Sequence, residues 1–73
     1  PNNGSFNIKM SNLISDKVGV SVYDLRGRLI FNKDYKALSN FNQNIQLDAI
    51  QSGVYLLNVV DGDRKETKRI VIQ

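Results

Sequence analysis

The chain has no cysteine and no histidine, and a single proline among its 73 residues. Without cysteine there is no disulfide, no thiolate metal site and no thiol nucleophile. Small exported domains often carry disulfides, but the lack of them does not exclude export. Without histidine there is no catalytic triad, no imidazole base and little prospect of a transition-metal site. The scarcity of proline and an apolar fraction of 41% argue for a folded domain rather than a disordered tail. No apolar run approaches the roughly 18 residues that a membrane helix needs, so no membrane-spanning segment is expected. Cofactors are not expected either.

What is present fits one domain. At this size about 60% of the unfolded surface is buried on folding, so stability is marginal. The first residue is Pro1, which reads as the start of a segment excised from a longer protein, with any signal peptide lying upstream.

Period-two alternation dominates the chain, and no segment has a convincing helical period. Phe6, Ile8 and Met10 alternate with Asn7 and Lys9, predicting a first strand. Val18, Val20 and Val22 alternate with Gly19 and Ser21, predicting a second. Asp24-Leu25-Arg26-Gly27 is a turn, with Gly27 where a left-handed backbone costs least. Leu29, Ile30 and Phe31 open a third strand that ends near Tyr35. Residues 36–44, rich in asparagine and serine, read as a loop. Ile45 and Leu47 flank Gln46 in a short fourth strand. Residues 48–52 could form one helical turn at most.

Residues 54–60 are apolar on both faces except for Asn58, the pattern of a central strand covered on both sides. Asp61-Gly62 is the strongest hairpin signal, suited to a type I′ turn with positive φ at both central residues. In the strand that follows, Glu66, Lys68, Ile70 and Ile72 share one face, and Thr67, Arg69 and Val71 share the other. Its C-terminal half is expected to be the buried half. Six or seven short strands with regularly spaced turns predict an all-β fold, an antiparallel sandwich.

Leu47, Ile50, Gly53 and Tyr55 follow the pattern of a tyrosine corner, in which a tyrosine opening a strand bonds its hydroxyl to backbone upstream. Tyr55→Phe is then expected to cost about 1 kcal/mol. Gly53 is expected to occupy a place where a side chain would clash.

The net charge of +3 is modest, but four of the ten basic residues, Arg64, Lys65, Lys68 and Arg69, lie in the last ten positions. A solvated edge strand kept soluble by cations is the plain reading, and a docking surface for an acidic partner is the functional one. Nucleic acid is disfavoured, because basic and aromatic residues do not interleave. Asp61-Gly62-Asp63 is the tightest acidic pair, but two carboxylates at a hairpin tip fall short of the six to eight oxygens that calcium takes. The remaining acids, among them Asp16, Asp24, Asp34, Asp48 and Glu66, sit in turns or on polar faces, so enzyme activity is not expected. Tyr23, Phe31, Tyr35 and Phe41 could line a sugar-binding face, although such residues more often pack a core.

Four blocks carry a resemblance. Pro1-Asn2-Asn3-Gly4-Ser5-Phe6-Asn7-Ile8 resembles the opening of the C-terminal sorting domains of the type IX secretion system of Bacteroidota, with Pro1 in the place of the second proline of their Pro-Asn-Pro signature. Val20-Ser21-Val22-Tyr23-Asp24-Leu25-Arg26-Gly27-Arg28 resembles their strand running into Asp-x-x-Gly-Lys, with Arg28 for the usual lysine. Leu47, Ile50, Gly53 and Tyr55 resemble a stretched Leu-x-x-Gly-x-Tyr block. Thr67-Lys68-Arg69-Ile70-Val71-Ile72 resembles the closing Thr-Lys-Lys and apolar strand. The blocks keep the family's order over essentially the whole chain.

The resemblance implies an immunoglobulin-like sandwich and a delivery function. Such a domain sits at the C-terminus of a cargo protein. The type IX translocon and its outer-membrane shuttle would recognise it in the periplasm, and a sortase-like peptidase would remove it as the cargo reaches the cell surface or medium. On this reading Gly53 and Tyr55 hold the corner, Lys65, Lys68 and Arg69 present charge, and Ile70 and Ile72 anchor the last strand. Gly27, Asp61 and Gly62 shape the turns. The alternative is a non-catalytic accessory sandwich that binds carbohydrate or acts as a spacer.

Overall fold

The computed structural model describes residues 4–47 and 50–73. Six strands run β1 (Ser5–Ser11), β2 (Lys17–Asp24), β3 (Leu29–Lys36), β4 (Asn40–Gln46), β5 (Gly53–Asp61) and β6 (Arg64–Ile72). They form two antiparallel sheets, one of two strands in the order β1-β4 and one of four in the order β3-β2-β5-β6. Two hairpins, β2–β3 and β5–β6, thus meet through β2 and β5 at the centre of the larger sheet. The result is the antiparallel sandwich that the alternation predicts, immunoglobulin-like as the resemblance implies, with no helix among the described residues.

The core lies between the sheets. Val18, Val20 and Val22 from β2 share the inner face of the larger sheet with Tyr55, Leu57 and Val59 from β5, and the smaller sheet lays Ile8, Phe41 and Ile45 over them. Ile72 closes one end at 2% exposure. Each fully buried valine or isoleucine contributes about 1.5–3 kcal/mol, a large share of what holds so short a chain.

Residues 36–44 are not one loop. β4 begins at Asn40, and the connection shrinks to residues 37–39. Asparagine is a poor strand former, but β1 supplies a complete partner, from Ser5 opposite Gln46 to Ser11 opposite Asn40. On the outer side Asn7 donates to Asn42 at 3.2 Å and accepts from Asn44 at 3.0 Å. On the inner side Phe41 joins the core and meets Tyr35 edge-on at 5.3 Å. Leu47 lies just past β4, held by its N–H to the Gly4 carbonyl at 2.7 Å. The proposed helical turn at residues 48–52 falls partly outside the described residues.

β5 is central, as its composition predicts, but it is covered on one face only. Tyr55, Leu57 and Val59 are buried, whereas Val54 and Leu56 are half-buried and Val60 is exposed. The two-stranded sheet covers the inner face, and no described element lies over the outer one.

The β5–β6 turn also differs from expectation. Its central pair is Gly62 and Asp63, flanked by the paired residues Asp61 and Arg64. Only Gly62 has positive φ, at 61°, which is the signature of a type II′ turn rather than type I′.

Candidate recognition surface

Tyr55 sits near the start of β5 with its ring against the core, and its hydroxyl donates to the Gln51 carbonyl at 2.7 Å. That is the tyrosine corner read from the sequence. Gly53 serves it differently from the expectation. An added Cβ would meet nothing closer than Tyr55 Cε1 at 3.8 Å, an ordinary contact, so no clash excludes a side chain. The constraint is the backbone, whose φ of 155° other residues rarely adopt.

Asp24 is the register partner of Tyr55, so the corner abuts the β2–β3 turn. The N–H of Gly27 donates to the Asp24 carbonyl at 3.0 Å, and Gly27 has φ of 89°, a three-residue hairpin loop ending in a left-handed residue. The Asp24 carboxylate accepts from the N–H of Arg26, the N–H of Arg28 and Nε of Arg28, at 2.9, 2.9 and 2.8 Å. The Arg28 guanidinium and N–H, with the Arg26 N–H, hold Asp24 below the usual carboxylate range against a smaller upward push from desolvation. Aspartate, glycine and a long cation at this spacing are therefore a turn lock. The turn and corner border a shallow depression of about 230 Å³, lined in part by Asp24, Arg26, Ile30, Ser52 and Tyr55.

The last strand distributes its cations over two sides. Lys65 and Arg69 pair with Val60 and Leu56 on the outer face, while Lys68 pairs with Leu57 on the inner side at the margin of the sandwich. None of these three forms an ion pair among the described residues. Ile70 and Ile72 point inward, half-buried and buried, as the sequence parity predicts. The seven residues singled out for recognition do not converge on one surface. Gly53, Tyr55, Ile70 and Ile72 form an inner frame, and the three cations project from both sides of the β6 edge.

Asp61 is the residue whose part the sequence conceals. It closes the hairpin as expected, yet its side chain is completely buried. Its two oxygens accept the N–H groups of Ile14 and Ser15, each at 2.9 Å, and Arg64 Nη2 at 2.6 Å. Arg64 Nη2 also donates to the Asn12 carbonyl at 2.7 Å. One aspartate–arginine pair thus fastens the β5–β6 hairpin to the link between the two sheets. Burial pushes the Asp61 carboxyl upward, but the Arg64 guanidinium and the two N–H donors more than offset it, leaving the group below its ordinary value.

Among the described residues no group of three or more carboxylates could hold a metal ion, and no helix is long and apolar enough to cross a membrane. The four aromatics weighed for sugar binding form no common platform. Phe31, Tyr35 and Phe41 pack on the inner side, whereas Tyr23 alternates outward.

The family model for the secretion system C-terminal sorting domain matches residues 1–73. No curated protein matches the chain at significant similarity. The turn lock, the corner and the cationic closing strand occur in the order in which the resembling blocks occur, and the match runs through all of them. The chain belongs to the family of C-terminal sorting domains of the type IX secretion system.

Proposed function

We propose that this domain is the address by which a type IX cargo protein crosses the outer membrane. The family is one of sorting signals rather than enzymes, and it implies a secretion-machinery partner, a cargo in cis and export to the cell surface or medium. The domain folds in the periplasm, is read there by the translocon and its outer-membrane shuttle, and is then cut away by a sortase-like peptidase. It is a substrate of that peptidase.

The observation that carries this reading is the family match over residues 1–73. The structure supports it with a self-standing fold whose closing strand is a sheet edge bearing Lys65, Lys68 and Arg69. Gly53 and Tyr55 keep the shape of the neighbouring corner, and Ile70 and Ile72 seat the strand. Main-chain pairing of a machinery strand along the β6 edge is the docking mode that such an edge favours.

The test is a fusion of residues 1–73, with a native upstream segment, to a periplasmic fluorescent protein in a type IX-competent bacterium. Surface or medium fluorescence is compared with a fusion lacking residues 65–73. Export of the full fusion alone is the expected result. Retention of both in the periplasm, with the full fusion folded, overturns the reading.

A further inference from the structure

The outer face of the four-stranded sheet is organised in rows. Leu29, Tyr23, Leu56 and Arg69 form one row across all four strands, with Val54 and Val71 beside it toward the corner. The next row, Asn32, Ser21, Asn58 and Thr67, is polar, and its side chains bond in pairs at 3.4 and 3.1 Å. Beyond it lie Asp34, Gly19, Val60 and Lys65. The polar row therefore marks off an apolar patch at the end of the sheet that carries the turn lock and the corner.

That patch has the composition of a buried surface without the cover. Leu29 is 51% exposed and Val71 41%, with Tyr23, Val54 and Leu56 half-buried between them. The two-stranded sheet lies on the opposite side. The inner face of β5 accounts for half of its apolar residues and leaves the outer half unexplained. A small, marginally stable domain gains nothing from wetting such residues.

The charge around the patch selects the occupant. Arg69 ends the apolar row, and Arg26 stands in the adjoining turn. Neither has an ion-pair partner among the described residues. The one described acid at this end, Asp24, is already committed to Arg28. A second copy would bring the same cations against one another in a chain of net charge +3.

We infer that the apolar end of this sheet face, formed by Leu29, Tyr23, Leu56, Val54 and Val71 and flanked by Arg69 and Arg26, docks a protein segment that presents apolar side chains between carboxylates. This rests on the sorting reading and names the chemistry of the partner: an acidic, apolar surface of the secretion machinery. Apolar burial supplies the affinity, and the two arginines supply register and on-rate.

The test has two arms. In the export assay Leu56→Thr and the double variant Arg26→Glu/Arg69→Glu are each compared with the parent fusion, with Val60→Thr, beyond the polar row, as control. Melting of each variant is measured alongside. Export should fall at least about tenfold for the patch variants, a change corresponding to 1.4 kcal/mol of lost binding. The control should export normally, and all variants should melt as folded domains. Full export of the patch variants beside an exporting parent overturns the docking surface and leaves the sorting reading intact. An unexported parent overturns the sorting reading, and the second arm then decides the surface by itself. In that arm the isotope-labelled chain is titrated with a capped peptide of alternating leucine and glutamate and followed by NMR. Shifts confined to Tyr23, Val54, Leu56, Arg69 and Val71, weakened by salt and abolished by Arg26→Glu/Arg69→Glu, support the surface. Shifts scattered over all the lysines, or none, overturn it. So does a concentration-dependent dimer that Leu56→Thr abolishes, which would assign the patch to a second copy.

Discussion

The two hairpins of the large sheet each carry an aspartate–arginine pair, and the pairs do opposite work. In the β2–β3 turn Asp24 holds Arg28 and two N–H groups within five residues, with the Arg28 side chain 69% exposed. In the β5–β6 turn Asp61 holds Arg64 next door but takes its N–H donors from Ile14 and Ser15, more than forty residues away in sequence, and is completely buried. The first pair shapes a turn. The second fixes where a hairpin lies relative to the rest of the molecule. Burial and reach, rather than the chemistry of the pair, set what it is worth.

The comparison can be broken most sharply at Asp61. Asp61→Ala leaves the N–H groups of Ile14 and Ser15 without their acceptor and takes the ion-pair partner from Arg64, and the melting temperature should fall by about 15 °C or more. A fall no greater than that of Asp24→Ala would erase the distinction.

The turn glycines sharpen it next. A Cβ on Gly62 would lie 3.2 Å from Ile14 Cγ1, while one on Gly27 would meet nothing within 4 Å, and both residues have positive φ. Gly62→Ala should therefore cost about 2 kcal/mol and Gly27→Ala about 1 kcal/mol in denaturant titration. Equal costs would show that Gly62 is not seated against the inter-sheet link.

Acid titration tests what the two pairs share. Both carboxyls lie below the ordinary value of 3.8 in the folded chain. Each therefore contributes stability that is complete above the unfolded pKa and is lost as pH falls through the folded one. Melting temperature should be flat above about pH 5 and fall below about pH 4. Asp24→Asn and Asp61→Asn should each flatten that acid slope, and a slope that either substitution leaves unchanged would contradict the assignment of that carboxyl. The smallest effect is that of Arg28→Ala, which removes an exposed pair and should shift melting by no more than about 3 °C.

The same contrast explains what the sequence reveals. Val18, Val20 and Val22, the turn ending at Gly27, and the spacing from Gly53 to Tyr55 are local patterns, and each folds as read. Asn40 to Asn44 reads as loop because asparagine's low strand propensity is visible in the chain, whereas the partner strand β1, some thirty residues upstream, is not. Asp61 reads as a turn residue for the same reason: nothing in Asp61-Gly62-Asp63 announces the N–H groups of Ile14 and Ser15. The cations of β6 and their division by strand parity, Lys68 on one face and Arg69 on the other, are legible in the sequence, whereas the residues beside them, Leu57 and Leu56, follow from the pairing register with β5.

The most direct measurement of the central claim is export of a fluorescent cargo bearing residues 1–73 in two isogenic strains, one with the type IX translocon and one without it. Fluorescence is expected at the surface or in the medium of the first strain, and a folded, periplasmic fusion in the second. Equal export from both strains, or equal retention in both, would contradict it.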